Sequence, residues 1–207
     1  MIDRRSFIGA GFALAAASTL KAQQCGQGIC RAQVDMPKLF SAIHTQQCPE
    51  WCWAACVSMI FHFYGHPVSQ QQIVRQMFGN VVCLPAGFTR RIGEALSRTW
   101  TDDNGDRFTS RVVAAFDPEN NIFAMNNMTV IEELSSDHPL LYCNTAHAMI
   151  NYAVEYIPTR MGPNVRTVRV VDPWPSSPRL HALSPVEMIP SIQGGRMNFL
   201  ATVRIDD

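Results

Sequence analysis

The stretch 51–64 constrains this chain more than any other. It opens Trp51-Cys52-Trp53-Ala54-Ala55-Cys56, and from there to Tyr64 only Ser58 and His62 are clearly polar. A helix that is apolar nearly all round is stable only when buried on all sides. The segment therefore predicts a central helix with other elements packed about it, capped by Gly65 and stopped by Pro67. Residues 69–78 predict a second helix, with Ser69 as N-cap and Gln72 as its capping-box partner, and residues 89–98 an amphipathic third.

Downstream the period changes. Residues 111–116, 139–142, 146–156, 165–171 and 198–205 are rich in Val, Ile, Leu or Tyr and bounded by Pro, Gly or Asn, so they read as strands. Residues 129–136 read as one short helix among them. A helical part followed by an antiparallel part is an α+β order, with the two parts packed face to face. Residues 23–45 read as an extended lead-in, in which Cys25-Gly26-Gln27-Gly28-Ile29-Cys30 could close on itself. With 207 residues, 47% of them apolar, the chain suffices for one ordinary domain core.

Residues 1–22 are set apart. Arg4-Arg5 precede an apolar stretch over 7–20 and then Lys21-Ala22, the order of a secretory signal. Paired arginines ahead of Phe7 resemble a twin-arginine signal, which carries folded proteins across a bacterial membrane. The expectation is a signal over 1–22 and a functional domain over 23–207, periplasmic or secreted. Seven cysteines fit such an oxidising destination as disulfides, and their odd number leaves at least one thiol free in a monomer. With 17 basic and 17 acidic residues and no block of like charge, nucleic acid and an anionic membrane surface are not expected partners.

Cys52 stands where the buried helix should begin. A thiol attacks a carbonyl only as thiolate. Free N–H groups at a helix start, together with a nearby imidazolium, can lower a cysteine pKa to roughly 3.5–7.5. The backbone N–H at the same position can face a developing oxyanion. Reading Cys48, Cys52 and Cys56 as metal ligands is weaker, because no second ligand cluster follows.

Gln46 lies six positions before Cys52 and Trp53 follows it directly, and Gln-x5-Cys-Trp resembles the nucleophile signature of papain-like cysteine peptidases. The fuller string from Trp51 to Cys56, with Phe63-Tyr64-Gly65 at the helix end, looks like the short bacterial members of that fold. The resemblance implies a papain-like α+β domain with a cleft between its helical and β parts, and Gln46 as a donor to the oxyanion. Gln47 is adjacent, so the register is open by one residue. It also pairs Cys56 with Cys83, which would leave Cys48 with Cys143; Cys25–Cys30 is the local pair. Six cysteines beside Cys52 nevertheless allow 15 connectivities.

A nucleophilic cysteine needs an imidazole, and the imidazole a third group to orient it. His62 and His66 lie toward the far end of the helix, His44 and His181 in loops, and His138 against Pro139. His147, after the polar turn Cys143-Asn144-Thr145, is the best candidate and matches the papain-like order. Asp172, ahead of Pro173-Trp174, is its expected orienter, with Asn144 in reserve as a supporting polar group. The reading is an exported peptidase acting through Cys52, His147, Asp172 and Gln46 on a peptide or protein, without metal or organic cofactor. It would be a monomer, with a separate protein inhibitor as a further expected partner. An acyltransferase using the same triad, or an inactive binding protein of the same fold, are the alternatives.

Overall fold

The computed structural model describes residues 24–176 and 179–206. The expected export signal over 1–22 lies outside these residues. The described chain is a mixed helix and antiparallel-sheet protein, with five α-helices and ten strands in a single sheet.

The chain enters through a hairpin, β1 (Gln24–Gly26) and β2 (Ile29–Gln33), closed by the Cys25–Cys30 disulfide. Next comes α1 (Met36–Ala42), a helix in place of the extended lead-in expected over 23–45. Its start signal was present: Asp35 caps the Lys38 N–H at 3.1 Å and Pro37 lies in the first turn. About two helical turns are too few to show a period.

The central helix α2 (Cys52–Phe63) matches the expected span. All of its residues are buried except half-buried Cys52 and exposed His62. Its single buried hydroxyl, on Ser58, donates to the Val68 carbonyl at 2.6 Å. Two further helices flank it: α3 (Gln70–Phe78), ended by Gly79 in the left-handed conformation, and α4 (Thr89–Leu96). The expected capping box of α3 does not form. Ser69 makes no side-chain cap bond, and Gln72 instead donates to the Thr101 carbonyl at 2.6 Å, because a strand runs beside this end of the helix.

The sheet comprises β3 (Arg98–Thr101), β4 (Arg107–Asp117), β5 (Ile122–Phe123), β6 (Leu140–Asn144), β7 (Ala148–Ile157), β8 (Asn164–Val171), β9 (Leu180–Ala182) and β10 (Met197–Asp206), after β1 and β2. Helix α5 (Asn127–Ser135) interrupts it, capped by Asn126. The main path runs β1-β2-β7-β6-β10-β4-β3. Strand β7 is its hub: β6 pairs with residues 148–151, β2 with residues 153–156, and β8 runs along the other edge. β7 can sit between neighbours on both edges because Ala148 to Val154 are all buried. His181, expected in a loop, lies on β9, paired with Val170.

Tertiary structure also reassigns two disulfides. Cys48 bonds Cys83, not Cys143, and Cys56 is a free buried thiol, not the partner of Cys83. The bridge spans from the loop before α2 to the loop after α3, whereas Cys56 sits at 0% exposure inside the core. A residue one helical turn inside a central helix faces packed side chains, out of reach of a surface loop. Among the described residues no helix is long and apolar enough to cross a membrane.

Candidate active site

Cys52 is the first residue of α2, and its delivery point is held from several sides. Trp51, the N-cap, contributes no side-chain cap, so the amides of the first turn remain open at the helix end. The indole N–H of Trp51 donates to the Val82 carbonyl at 2.8 Å and that of Trp53 to the Leu84 carbonyl at 3.3 Å. With the Cys48–Cys83 bridge, these bonds fasten the loop after α3 across the front of the helix.

Gln46 braces the same loop from inside. It is 5% exposed, and its Nε2 donates to the carbonyls of Cys48 at 3.0 Å and Pro49 at 2.7 Å. Both of its N–H hydrogens are therefore engaged within the loop. Gln47 is exposed, and its Oε1 accepts from Gln71. Gln70, a buried helix residue that hydrophobic periodicity passes over, completes the frame: its Oε1 accepts from Gln47 N at 3.0 Å and its Nε2 donates to Thr45 O at 2.8 Å.

His147 stands at the turn between β6 and β7. Asn144 shapes that turn, its Oδ1 accepting from the amides of Ala146 at 2.9 Å and His147 at 2.7 Å. The Asn144 Nδ2 donates in turn to Glu187 Oε1 at 3.1 Å, and Glu187 is fixed by Ser184 through a capping box. Glu187 had no local signal beyond its Ser-x-x-Glu spacing; its tie to Asn144 spans distant parts of the chain.

The His147 Nε2 lies 2.7 Å from Asp172 Oδ1. Asp172 follows the end of β8 and is 7% exposed, and its Oδ1 also accepts from Trp174 N at 2.8 Å. The Trp174 ring meets the imidazole edge to face, with centroids 6.3 Å apart. Burial opposes charge on both partners, and in both the hydrogen bond between them prevails. Desolvation lowers the His147 pKa, but bonds to Asp172 and Cys52 raise it to about 9. Desolvation raises that of Asp172, but bonds from His147 and Trp174 hold its carboxyl below the usual range. An ionised carboxylate only accepts, so the Nε2 carries the proton and Nδ1 is the nitrogen left for other chemistry.

Cys52 and His147 line one cleft of about 460 Å³, walled by Trp53, Phe88, Cys143 and Trp174. Three thiols are free: Cys52, Cys56 and Cys143. Burial, followed by the neighbouring Cys52, pushes the thiols of Cys56 and Cys143 well up, so these two stay protonated. Cys52 alone of the three is more than marginally accessible. Asn198 also lines the cleft; it falls at a register shift of β10 against β6 and keeps a buried Oδ1 without a hydrogen-bond partner.

Thus Cys52, His147 and Asp172 come together, while Gln46 is turned into its own loop. Among the described residues no group of three or more His, Cys, Asp or Glu is arranged to hold a metal ion. No protein-family model matches the chain, and no curated protein matches it significantly.

Proposed function

We propose that the chain is a papain-like cysteine peptidase that works in the periplasm or outside the cell. The observation that carries this reading is the 2.7 Å contact of His147 Nε2 with Asp172, in the cleft that also holds half-buried Cys52 at a helix start. A histidine oriented by a carboxylate beside an accessible thiol is the arrangement nucleophilic acyl transfer needs. Two disulfides favour an oxidising compartment.

In the proposed cycle the Cys52 sulfur, as thiolate, attacks the carbonyl carbon of a peptide or amide. The carbonyl π electrons move to oxygen, and the Cys52 amide at the open end of α2 donates to that oxyanion. Gln46 joins when the oxyanion takes the place of the Pro49 carbonyl at one of its N–H hydrogens. The oxyanion then collapses, the C–N bond breaks, and His147 passes its Nδ1 proton to the leaving amine. A thioester remains on Cys52. Neutral Nδ1 takes a proton from water, whose oxygen attacks the thioester and releases the acid with return of the thiolate. Asp172 keeps the ring in the required tautomer and supports its positive form.

Alkylation of the native protein with a thiol-directed epoxide, read by peptide mass spectrometry, tests this reading. Labelling confined to Cys52 and lost in His147→Ala is the expected result. An inert Cys52, or labelling indifferent to His147, would sink it.

A further inference from the structure

A second cavity, of about 480 Å³, lies on the opposite face of the sheet and shares no residue with the cleft. Neighbouring residues of β6 separate the two: Cys143 faces the cleft and Tyr142 the cavity, as side chains alternate along a strand. Phe116, Val130, Val154, Leu183 and Leu200 give it apolar walls. Three methionines, Met125, Met188 and Met197, complete them with side chains that adapt readily to shape. The mouth is marked by half-buried Val165 and Val168 and by exposed Gln193.

Asn151 makes this cavity more than a packing gap. It lies on the hub strand β7 and lines the cavity, yet is only 2% exposed. Its Oδ1 is buried with no hydrogen-bond partner. The register of β7 against β8 shifts directly after it. An orphaned buried acceptor is destabilising, and a valine or leucine would avoid that cost in such a strand. The other polar groups of the lining are engaged or face solvent: Tyr142 OH donates to Glu187 O at 2.8 Å, Asn126 Oδ1 caps the amides of Met128 and Thr129, Asn127 Nδ2 donates to the Pro163 carbonyl, and Gln193 is exposed. Every described residue lining the cavity is uncharged, so an ion entering it would lose its hydration without compensation.

A largely apolar chamber of this size with one buried polar atom left unpaired has the make-up of a small-molecule site. We infer that the cavity binds a small uncharged amphiphile, an apolar body bearing one hydroxyl or amide group, whose N–H or O–H donates to Asn151 Oδ1. This site is independent of the peptidase reading.

The test uses the full chain labelled with ¹³C at its methionine methyl groups and titrated with 1-octanol. The signals of Met125, Met188 and Met197 should shift together and saturate, while those of Met128 and Met161, 48% and 99% exposed, stay in place. Octanoate, with the same chain and a charge, should bind at least tenfold more weakly. Asn151→Leu keeps the volume but removes the acceptor, and should weaken octanol binding about five- to tenfold, the worth of one hydrogen bond. Should that variant fail to fold, Val168→Phe at the mouth should abolish the three shifts. Shifts that never saturate, or that spread equally to Met128 and Met161, overturn the site. Equal binding of octanol and octanoate, or full octanol affinity in a folded Asn151→Leu, overturns the uncharged donor as its ligand.

Discussion

His147 and Asp172 stand on opposite flanks of a strand pair, 25 residues apart in sequence, with Nε2 and Oδ1 2.7 Å from one another. The antiparallel register of β7 against β8 brings the start of one strand to the end of the other, Ile150 opposite Val171. The contact is therefore a product of pairing register, and a slip of one residue would turn one partner away.

Asp172→Asn should move the pH dependence of Cys52 alkylation. With the carboxylate present, His147 holds its proton up to about pH 9, against an ordinary value of 6.5. Its contribution to stability is thus complete below 6.5 and lost as pH rises through about 9. Asp172, whose carboxyl is depressed, contributes above its ordinary 3.8 and loses this on acidification. The variant should bring the alkaline limb of the alkylation profile down by roughly 1–3 pH units. An unmoved limb would mean that another group sets the His147 proton.

Asn144→Ala should slow Cys52-dependent turnover about tenfold while the fold persists. Its side chain holds the His147 and Ala146 amides and joins them to Glu187, and its loss loosens the turn that carries the ring towards Asp172 and Cys52. Misplaced geometry lowers kcat more than it raises KM. A change confined to KM would refute the positioning role.

Cys83→Ser should lower the unfolding free energy by about 2–4 kcal/mol, as expected for release of a bridged loop. That bridge closes 35 residues and the Cys25–Cys30 bridge only 5, so Cys25→Ser should cost less. Urea unfolding of the two variants under oxidising conditions decides the order. The same data check the pairing, because Cys48→Ser should match Cys83→Ser while Cys143→Ser frees no bridge.

Glu133→Gln should weaken the protein near neutrality and flatten its acid response. The Glu133 carboxylate on α5 accepts from Thr202 Oγ1 at 2.8 Å and from both terminal nitrogens of Arg204, at 2.7 and 2.9 Å. Burial alone would raise its pKa, yet bonds from His138, Arg204 and Thr202 hold it at about 2. Its contribution is therefore present above 4.5 and lost as pH falls through about 2. Replacing it should cost roughly 1.5–3 kcal/mol, the worth of a hydrogen bond to a charged group. Comparing urea midpoints at pH 7 and pH 3 should show a smaller difference in the variant than in the native chain.

Composition and periodicity alone carried the central helix over 51–64, the α+β order and most of the long strands. Each rests on local spacing, and the all-apolar surface of residues 51–64 admits only a buried position. Cys52, His147 and Asp172 could likewise be singled out one by one from residue type and neighbours. Their meeting in one cleft could not, and neither could the Cys48–Cys83 bridge, the inward turn of Gln46 nor the helix at Met36–Ala42. Those depend on which distant surfaces approach. A disulfide or hydrogen bond forms only across a few ångströms, and that distance is set by strand register and helix packing, which local sequence does not encode. The cavity beside Asn151 belongs to the same class: a buried asparagine in an apolar strand is visible in the chain, but its unpartnered oxygen exists only once the walls have closed around it.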